Sequence, residues 1–311
     1  MEVVDVDAPT LSSGQVRVRV HAAAVNFPDV LLVAGEYQIK VPPPFVPGSE
    51  LAGEVSEIAD DVTALRVGDR VFGNTLVGAF AEEAAVNATS LTKVPDGVDA
   101  ATAAAFGVAH RTAFHTLRSV AALQPGEELI VLGAGGGVGL AAVQLGALLG
   151  ATVTAVASSP EKLEVAAEYG ASRGLNHRDA DLRAALKTEL PNGADVVVDP
   201  VGGDLAEPAL RALRWGGRFV TVGYASGTIP RIPLNLVLLK GISIAGFEFL
   251  SFATQRPDDL ARNDAELLDH LAAGRAVPHI GARFSLDETA SALQYVADGN
   301  AIGKVVLDIA G

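Results

Sequence analysis

Ala134-x-Gly136-x-x-Gly139 is the part of this sequence whose spacing can do chemistry, and that chemistry is the holding of phosphate. It lies in a stretch with no charged residue between Glu128 and Glu161. Glycines at this spacing permit a sharp turn and let backbone N–H groups approach a pyrophosphate at a helix N-terminus. Ala134 stands where the first glycine usually is, and Gly136, Gly137, Val138 and Gly139 lead into the helix. A second group follows. In such units an acidic residue commonly ends the second strand and binds a ribose 2′-hydroxyl. Here the place is taken by Ala157, followed by Ser158, Ser159 and Lys162. Two hydroxyls and an ammonium suit a 2′-phosphate, which a carboxylate would repel. The same Ser-Ser-Pro can also cap the next helix, and both roles are compatible. The residues therefore favour NADPH as the cofactor.

The elements that must position these residues are legible around them. Leu129 to Leu132 is a short apolar run suited to a strand buried on both faces. Gly139, Val143, Gly146 and Gly150 fall at helical spacing and form a small face that can lie close on a sheet, and Thr152 to Ala157 reads as the next strand. Length alone would allow a membrane helix, but the glycine cluster argues for a turn. "ADVVVDPVGG" and "GGRFVTVGYASG" read as further buried strands, and "GISIAGFEF" as a last edge strand. Ligands of open α/β sheets sit beyond the strand C-termini, which places Asp199, Pro200, Val201, Gly223 and Tyr224 near the cofactor. Asp199 is equally suited to capping a helix. The first 98 or so residues are β-rich: in "QVRVRVHA", Val16, Val18 and Val20 alternate with Arg17, Arg19 and His21. An Ala-rich helix is expected from Ala100 to Leu123.

Whole-chain properties bound the reading. The 311 residues are enough for two domains, and 49% apolar with 19% charged residues is a globular composition. A net charge of −14 argues against nucleic acid and anionic membranes as partners. With no cysteine, disulfides, thiolate metal ligands and a cysteine nucleophile are excluded. The acidic start, "MEVVDVDAPTL", is unlike a secretory signal, so the cytoplasm is the expected location.

"AAAVNFPDVLL", "PFVPGSELAGEV", "VGDRVFG", "GAGGGVGLAAVQLG", "VVVDPVGG" and "IGKVVL", in this order over nearly the whole chain, resemble the medium-chain dehydrogenase/reductase superfamily. They are most similar to its zinc-free, zeta-crystallin-like quinone oxidoreductase branch. The resemblance implies an α/β protein: a GroES-like β-barrel domain formed by residues 1–110 and 251–311, split around a Rossmann domain with a doubly wound parallel sheet at 111–250. It also implies a homodimer. Zinc-using relatives carry Gly-His-Glu-x-x-Gly, whereas this chain has Ser49 in place of the histidine. The six histidines are scattered, His110 and His115 lack the i, i+4 spacing of a helical zinc pair, and all read as surface or capping residues, so no metal is expected. By the family pattern Asn26 and Thr112 are the catalytic-cleft residues. A tyrosine common five residues past Asn26 is Leu31 here, and one bordering the adenosine phosphate is His177. The stretch that forms the first barrel strand in relatives, before "MEVVDVDAP", has no counterpart.

Reducing a simple ketone makes an alkoxide, which needs a metal or a positioned acid. The Tyr-x-x-x-Lys device is absent: Tyr37, Tyr169, Tyr224 and Tyr295 are followed four residues on by Val41, Arg173, Thr228 and Gly299. The acceptors that fit stabilise their own charge: a quinone first, otherwise a conjugated C=C bond in an alkenal, enone or enoyl thioester. A protein that binds NADPH with little turnover, as sensor or scaffold, is the reading from another class. On the enzyme reading Asn26 and Thr112 orient the reactants without ionising. Hydride transfer is then expected to be nearly independent of pH, with His110 and His115 the only nearby groups able to titrate.

Overall fold

The alternating valines form a strand with one dry face. In the computed structural model, which describes residues 1–179 and 181–309, they lie on β1 (Gln15–Val25), where Val16, Val18 and Val20 are buried with Leu51, Val55, Phe80 and Leu307. After β1 come α1 (Phe27–Val33), β2 (Glu50–Ile58), β3 (Arg70–Asn74), β4 (Glu83–Asn87), β5 (Leu91–Lys93) and α2 (Ala100–His115). Next are β6 (Glu128–Leu132), α3 (Gly137–Leu148), β7 (Thr152–Ala157), α4 (Pro160–Glu168), β8 (Ala171–Asn176), α5 (Leu182–Glu189) and β9 (Ala194–Asp199). They are followed by α6 (Ala206–Ala212), β10 (Leu213–Thr221), α7 (Leu234–Lys240), β11 (Ser243–Gly246), α8 (Phe249–Gln255) and α9 (Pro257–Ala272). The chain closes with β12 (Ile280–Ser285), α10 (Thr289–Ala297) and β13 (Lys304–Asp308).

Two units result: Met1–Val108 with Val277–Gly311, and Ala109–Ala276. The first holds a seven-stranded sheet in the order β12-β13-β1-β2-β3-β5, with β4 paired to β1. β1 is long enough to pair with β4 through Gln15–Arg19 and with β13 through Ala22–Val25, while β2 runs along its other edge. Register shifts after Arg17 and Val20 bend it. The sheet thereby joins the two ends of the chain in one barrel-like layer.

The second unit is a parallel six-stranded sheet, β11-β10-β9-β6-β7-β8. The strand order reverses at β6, between β7 and β9, which makes the C-terminal end of β6 the place for a ligand. α3 lies close on this sheet because its contact face is small. A Cβ on Gly146 would come 2.5 Å from Leu129 Cδ2.

The second domain boundary falls at 276–277 and not at the expected 250–251, because α9 is tied to α2 by side chains. Arg111 donates to both oxygens of Asp264 (2.9 and 2.6 Å). Asn263 Nδ2 donates to His115 Nδ1 (3.1 Å), leaving His115 Nε2–H to donate to Asp264 (3.1 Å). Residues 111 and 115 are four apart and share a helix face. This corrects the reading of the histidines as surface or capping groups. His115 and His110 are 0% and 3% exposed, and His110 Nε2 faces Gln144 Oε1 on α3 (3.0 Å). The bridging helix is also shorter than expected: α2 stops at His115 and continues as a π-type turn, Thr116–Val120.

Candidate functional site

In the second unit the glycine turn follows β6 and is closed by its own backbone. Gly133 has φ +61°, a left-handed conformation that suits glycine. A Cβ on Gly139 would stand 2.0 Å from the Gly133 carbonyl oxygen, so any side chain there forces the first turn of α3 away. A Cβ on Gly133 would meet Val201 Cγ2 at 2.6 Å, which puts the loop after β9 against the turn. A Cβ on Gly135 would meet the Lys162 stem at 2.6–2.8 Å, so the lysine lies directly over the turn. Gly136 differs. As N-cap of α3 it would meet nothing nearer than the Gly133 oxygen at 3.5 Å. The chain itself does not demand glycine there; a side chain would stand at the helix N-terminus, the space a phosphate takes in this kind of turn. Gly137 and Val138 open the helix, where N–H groups have no preceding helical carbonyl. Ala134 plays another part: it is buried, and its N–H donates to the Val156 carbonyl (3.0 Å), tying the turn to β7.

Beyond β7, Ser159 caps α4 and accepts from Lys162 N (3.4 Å), while Lys162 Nζ lies 3.4 Å from Ser158 Oγ. His177 N donates to the Ala157 carbonyl (3.1 Å), which seats His177 at the end of β7. Burial, and after it the neighbouring Arg178, hold both the Lys162 ammonium and the His177 imidazolium below their ordinary pKa values. Such a crowd of like charge suits an anion. The reading of the sequence passed over Arg178; its place directly after His177 was the available signal.

Asp199 caps no helix. Its Oδ1 accepts from Val201 N (2.9 Å) and Gly202 N (2.8 Å), and burial raises its carboxyl above the usual range. It thereby holds the loop that bears Val201. Gly202 (φ +68°) lets Tyr224 approach, since a Cβ there would come 2.8 Å from Tyr224 Cδ1. Gly223 follows β10 and donates to the Asp199 carbonyl (3.4 Å). Thr112 is half-buried on α2.

In the first unit, Asn26 belongs to a buried polar cluster. Lys304 Nζ donates to Asn26 Oδ1 and to Glu50 Oε2 (3.0 Å). Asn26 Nδ2 donates to Glu50 Oε2 (3.0 Å) and to the Ala24 carbonyl (3.3 Å), so both amide hydrogens are engaged. Glu50 Oε1 accepts from Val108 N (2.6 Å), and a Cβ on Gly107 would crowd that oxygen at 2.9 Å. Asp29, three residues past Asn26, accepts from Asn26 N (2.8 Å) and opens α1. Asp29, Glu50 and Lys304 are 0%, 1% and 4% exposed. Burial pushes the Asp29 carboxyl up to about 6, against smaller lowering by Ser49, the Asn26 N–H and Lys304. Asp29 is thus a titratable group beside Asn26 that the sequence reading did not count. Asp29, Glu50 and Lys304 stand inside the family motifs quoted above, but nothing in the sequence announced that they meet.

Among the described residues no group of three or more His, Asp or Glu is placed to hold a metal ion. The donor chemistry agrees: the sequence has no cysteine, Ser49 replaces the histidine of the zinc motif, and Glu50 is paired with an ammonium.

A glycine turn at the order reversal of a parallel sheet, in a chain whose other unit is a barrel-like layer built from both ends, defines an oxidoreductase with a nicotinamide cofactor. Comparison with known proteins makes this specific. The family model "Alcohol dehydrogenase GroES-like domain" matches residues 12–96, and "Zinc-binding dehydrogenase" matches 137–264. The quinone oxidoreductase-like protein 2 homolog of Nematostella vectensis is 38% identical over 303 residues, covering 96% of this chain and 82% of that protein. The quinone oxidoreductase of Thermus thermophilus, whose structure was solved also with NADPH, is 31% identical with a TM-score of 0.86, covering 99% and 95% of the two chains. A segment of the Streptomyces halstedii polyketide synthase GfsB is 36% identical over 304 residues, spanning 96% of this chain and 5% of the synthase. The chain belongs to the zinc-free quinone oxidoreductase branch of the medium-chain dehydrogenase/reductase superfamily.

Two substitutions separate the roles of the turn glycines. Gly139→Ala is expected to lower stability by about 3 kcal/mol or more, because a backbone carbonyl cannot yield as a side chain does. Gly136→Ala should leave urea stability within about 1 kcal/mol while weakening dinucleotide binding by titration.

Asp29 sets a pH dependence of stability. Its carboxyl binds a proton more tightly folded than unfolded, so stability falls as pH rises from about 4 to about 6. Above that range the full cost of about 3 kcal/mol applies. Asp29→Asn keeps an acceptor for the Asn26 N–H and cannot ionise. In urea titrations the variant should gain on the unmodified protein at pH 8 but not at pH 4.

Proposed function

We propose that this protein is an NADPH-dependent reductase that transfers hydride to a quinone without a metal. The observation that carries the cofactor choice is the cationic corner made by Lys162, His177 and Arg178 beside Ser158 and Ser159, with Ala157 where a carboxylate would select NADH. NADPH supplies a hydride when bound. The chain's own residues do the rest: Gly136, Gly137, Val138 and Gly139 receive the pyrophosphate at the N-terminus of α3, Val201, Gly223 and Tyr224 border the dinucleotide, and the cationic corner takes the 2′-phosphate. Thr112 offers a hydroxyl for orienting the reactants. Asn26 has no amide hydrogen left to donate, so its part is to fix the first unit's polar cluster. This is catalysis by positioning, and it suits acceptors that stabilise charge themselves.

A second reading, reduction of a conjugated C=C bond in an enone or enoyl thioester, draws on the likeness to a polyketide synthase segment. Stopped-flow oxidation of NADPH against a panel of quinones, enones and enoyl thioesters separates the two. Faster hydride transfer to quinones is expected, and transfer to enones or thioesters alone would replace the first reading with the second. Transfer to none of them would leave an NADPH-binding protein without turnover.

NADPH should bind more tightly than NADH by calorimetry. Lys162→Ala should narrow the gap about tenfold or more, since a charge-assisted hydrogen bond contributes about 1.5–3 kcal/mol. Equal affinities in the unmodified protein would refute the assignment.

The protein is further proposed to be a homodimer through the β11 edge. β11 ends its sheet with Ile244 exposed, and α7 beside it in sequence leaves Leu234, Leu238 and Leu239 more than 70% exposed. An apolar edge of this kind invites pairing. Sedimentation at micromolar concentration should give a dimer, and Leu238→Asp with Ile244→Lys a monomer.

A further inference from the structure

β7 and β8 end side by side at the edge of the second unit's sheet. They run parallel with Ala157 paired to Asn176, so the chain leaves β7 at Ser158 and β8 at His177 on the same edge. The His177 N–H fixes this by donating to the Ala157 carbonyl (3.1 Å). Lys162 reaches the same edge from α4, with its stem over Gly135 and its Nζ 3.4 Å from Ser158 Oγ. A hydroxyl, an ammonium and an imidazole thus gather where β7 ends, the place at which a carboxylate would select NADH. All three belong to the second unit.

The surroundings of His177 make its charge conditional. The charges that act on the ring are Arg178, next in the chain, and Lys162 of α4. Of the elements packed on β8, α3 and β7 carry no Asp, Glu, Lys or Arg. The acids of α4, Glu161, Glu164 and Glu168, are exposed. α5 carries Arg183, Lys187 and Glu189, and Glu189 acts on Arg173. Asp179 accepts from Asn176 Nδ2 (2.6 Å), and Asp181 caps α5 by accepting from Arg183 N and Ala184 N (2.9 and 3.1 Å). Among the described residues no carboxylate therefore offsets the two cations, and the half-buried ring sheds its proton more readily than in water. A dianion among the same groups reverses the balance, because an opposite charge within about 4–6 Å favours the charged ring.

We propose that His177 sets the choice between NADPH and NADH by taking a proton from solvent as the 2′-phosphate binds, so that the preference for NADPH weakens as pH rises. The inference rests on the cofactor reading above. The imidazole gains one N–H bond, which donates to a phosphate oxygen, and water or buffer gives up the proton. No electrons move. NADH has a hydroxyl at that place and offers the ring no charge to meet.

Calorimetric titration of the whole chain tests this at about pH 7.5, where a phosphate monoester is already doubly ionised and its own titration does not interfere. NADPH and NADH are compared in buffers of different ionisation enthalpy. Proton uptake is expected with NADPH and not with NADH. From about pH 7 to about pH 8.5 the affinity ratio of NADPH to NADH should fall about threefold or more, and by no more than about tenfold per pH unit for one linked proton. His177→Gln keeps a donor and cannot ionise; its uptake should vanish, and its ratio should be smaller at pH 7 and flat. His177→Lys is charged throughout this range and should show a high, flat ratio without uptake. Uptake that persists in His177→Gln, or an NADPH preference that does not fall with pH in the unmodified protein, overturns the proposal. Equal affinity for the two cofactors at every pH would instead sink the cofactor reading.

Discussion

The approach of α3 to the backbone of the preceding turn is the constraint on which the second unit depends. The Gly133 carbonyl lies where a Cβ of Gly139 would be, and the Gly133 Cβ position is filled by Val201. The helix can therefore start immediately after β6 and aim its N-terminus out of the sheet at the order reversal. Helix and turn bring two more loops into line. Val201 is held by Asp199, and Lys162 runs its stem across Gly135. Each of these contacts removes freedom from a residue around the glycine turn.

The first unit depends on a different kind of constraint. Burying Lys304 and Glu50 together is tolerable only because nearly every polar atom finds a partner: Asn26, Val108 N–H and the ion pair itself. Breaking a buried pair of this sort typically costs about 3–5 kcal/mol, since the survivor is left as an unpaired charge. The cluster stitches the two ends of the chain: Asn26 follows the first strand, Glu50 opens the second and Lys304 opens the last. In zinc-using relatives a histidine stands at position 49. Here the same corner holds a serine, an ammonium pair and one surplus carboxyl, so its electrostatics turn on a proton.

The Arg111–Asp264–His115–Asn263 cluster shows how side chains decide where a domain ends. Arg111 also lies over the Phe249 ring, 4.7 Å from its centroid, and His115 packs on Phe247 and Phe252. These contacts draw α8 and α9 into the second unit. Both imidazole nitrogens are occupied, which fixes the orientation of the His115 ring between α2 and α9.

The local pattern of the sequence sufficed for the elements and for the glycine turn. Alternating valines, the short run Leu129–Leu132 and the glycine spacing are read within a few residues, because strand and turn preferences act at that range. The donor set after β7 was equally legible, since Ser158, Ser159 and Lys162 lie within five residues. What the sequence could not give is what meets across distance. His110 and His115 looked like surface groups because single residues on an Ala-rich helix carry no sign of burial; α3 covers the first, and α8 and α9 the second. Arg178 joined the cationic corner only when β8 lay beside β7. Asp29, Glu50 and Lys304 stood in plain view in three separate motifs. Their shared cluster, and with it the raised carboxyl of Asp29, exists only because β1, β2 and β13 lie side by side, for burial and Coulomb interaction depend on distance in space and not along the chain.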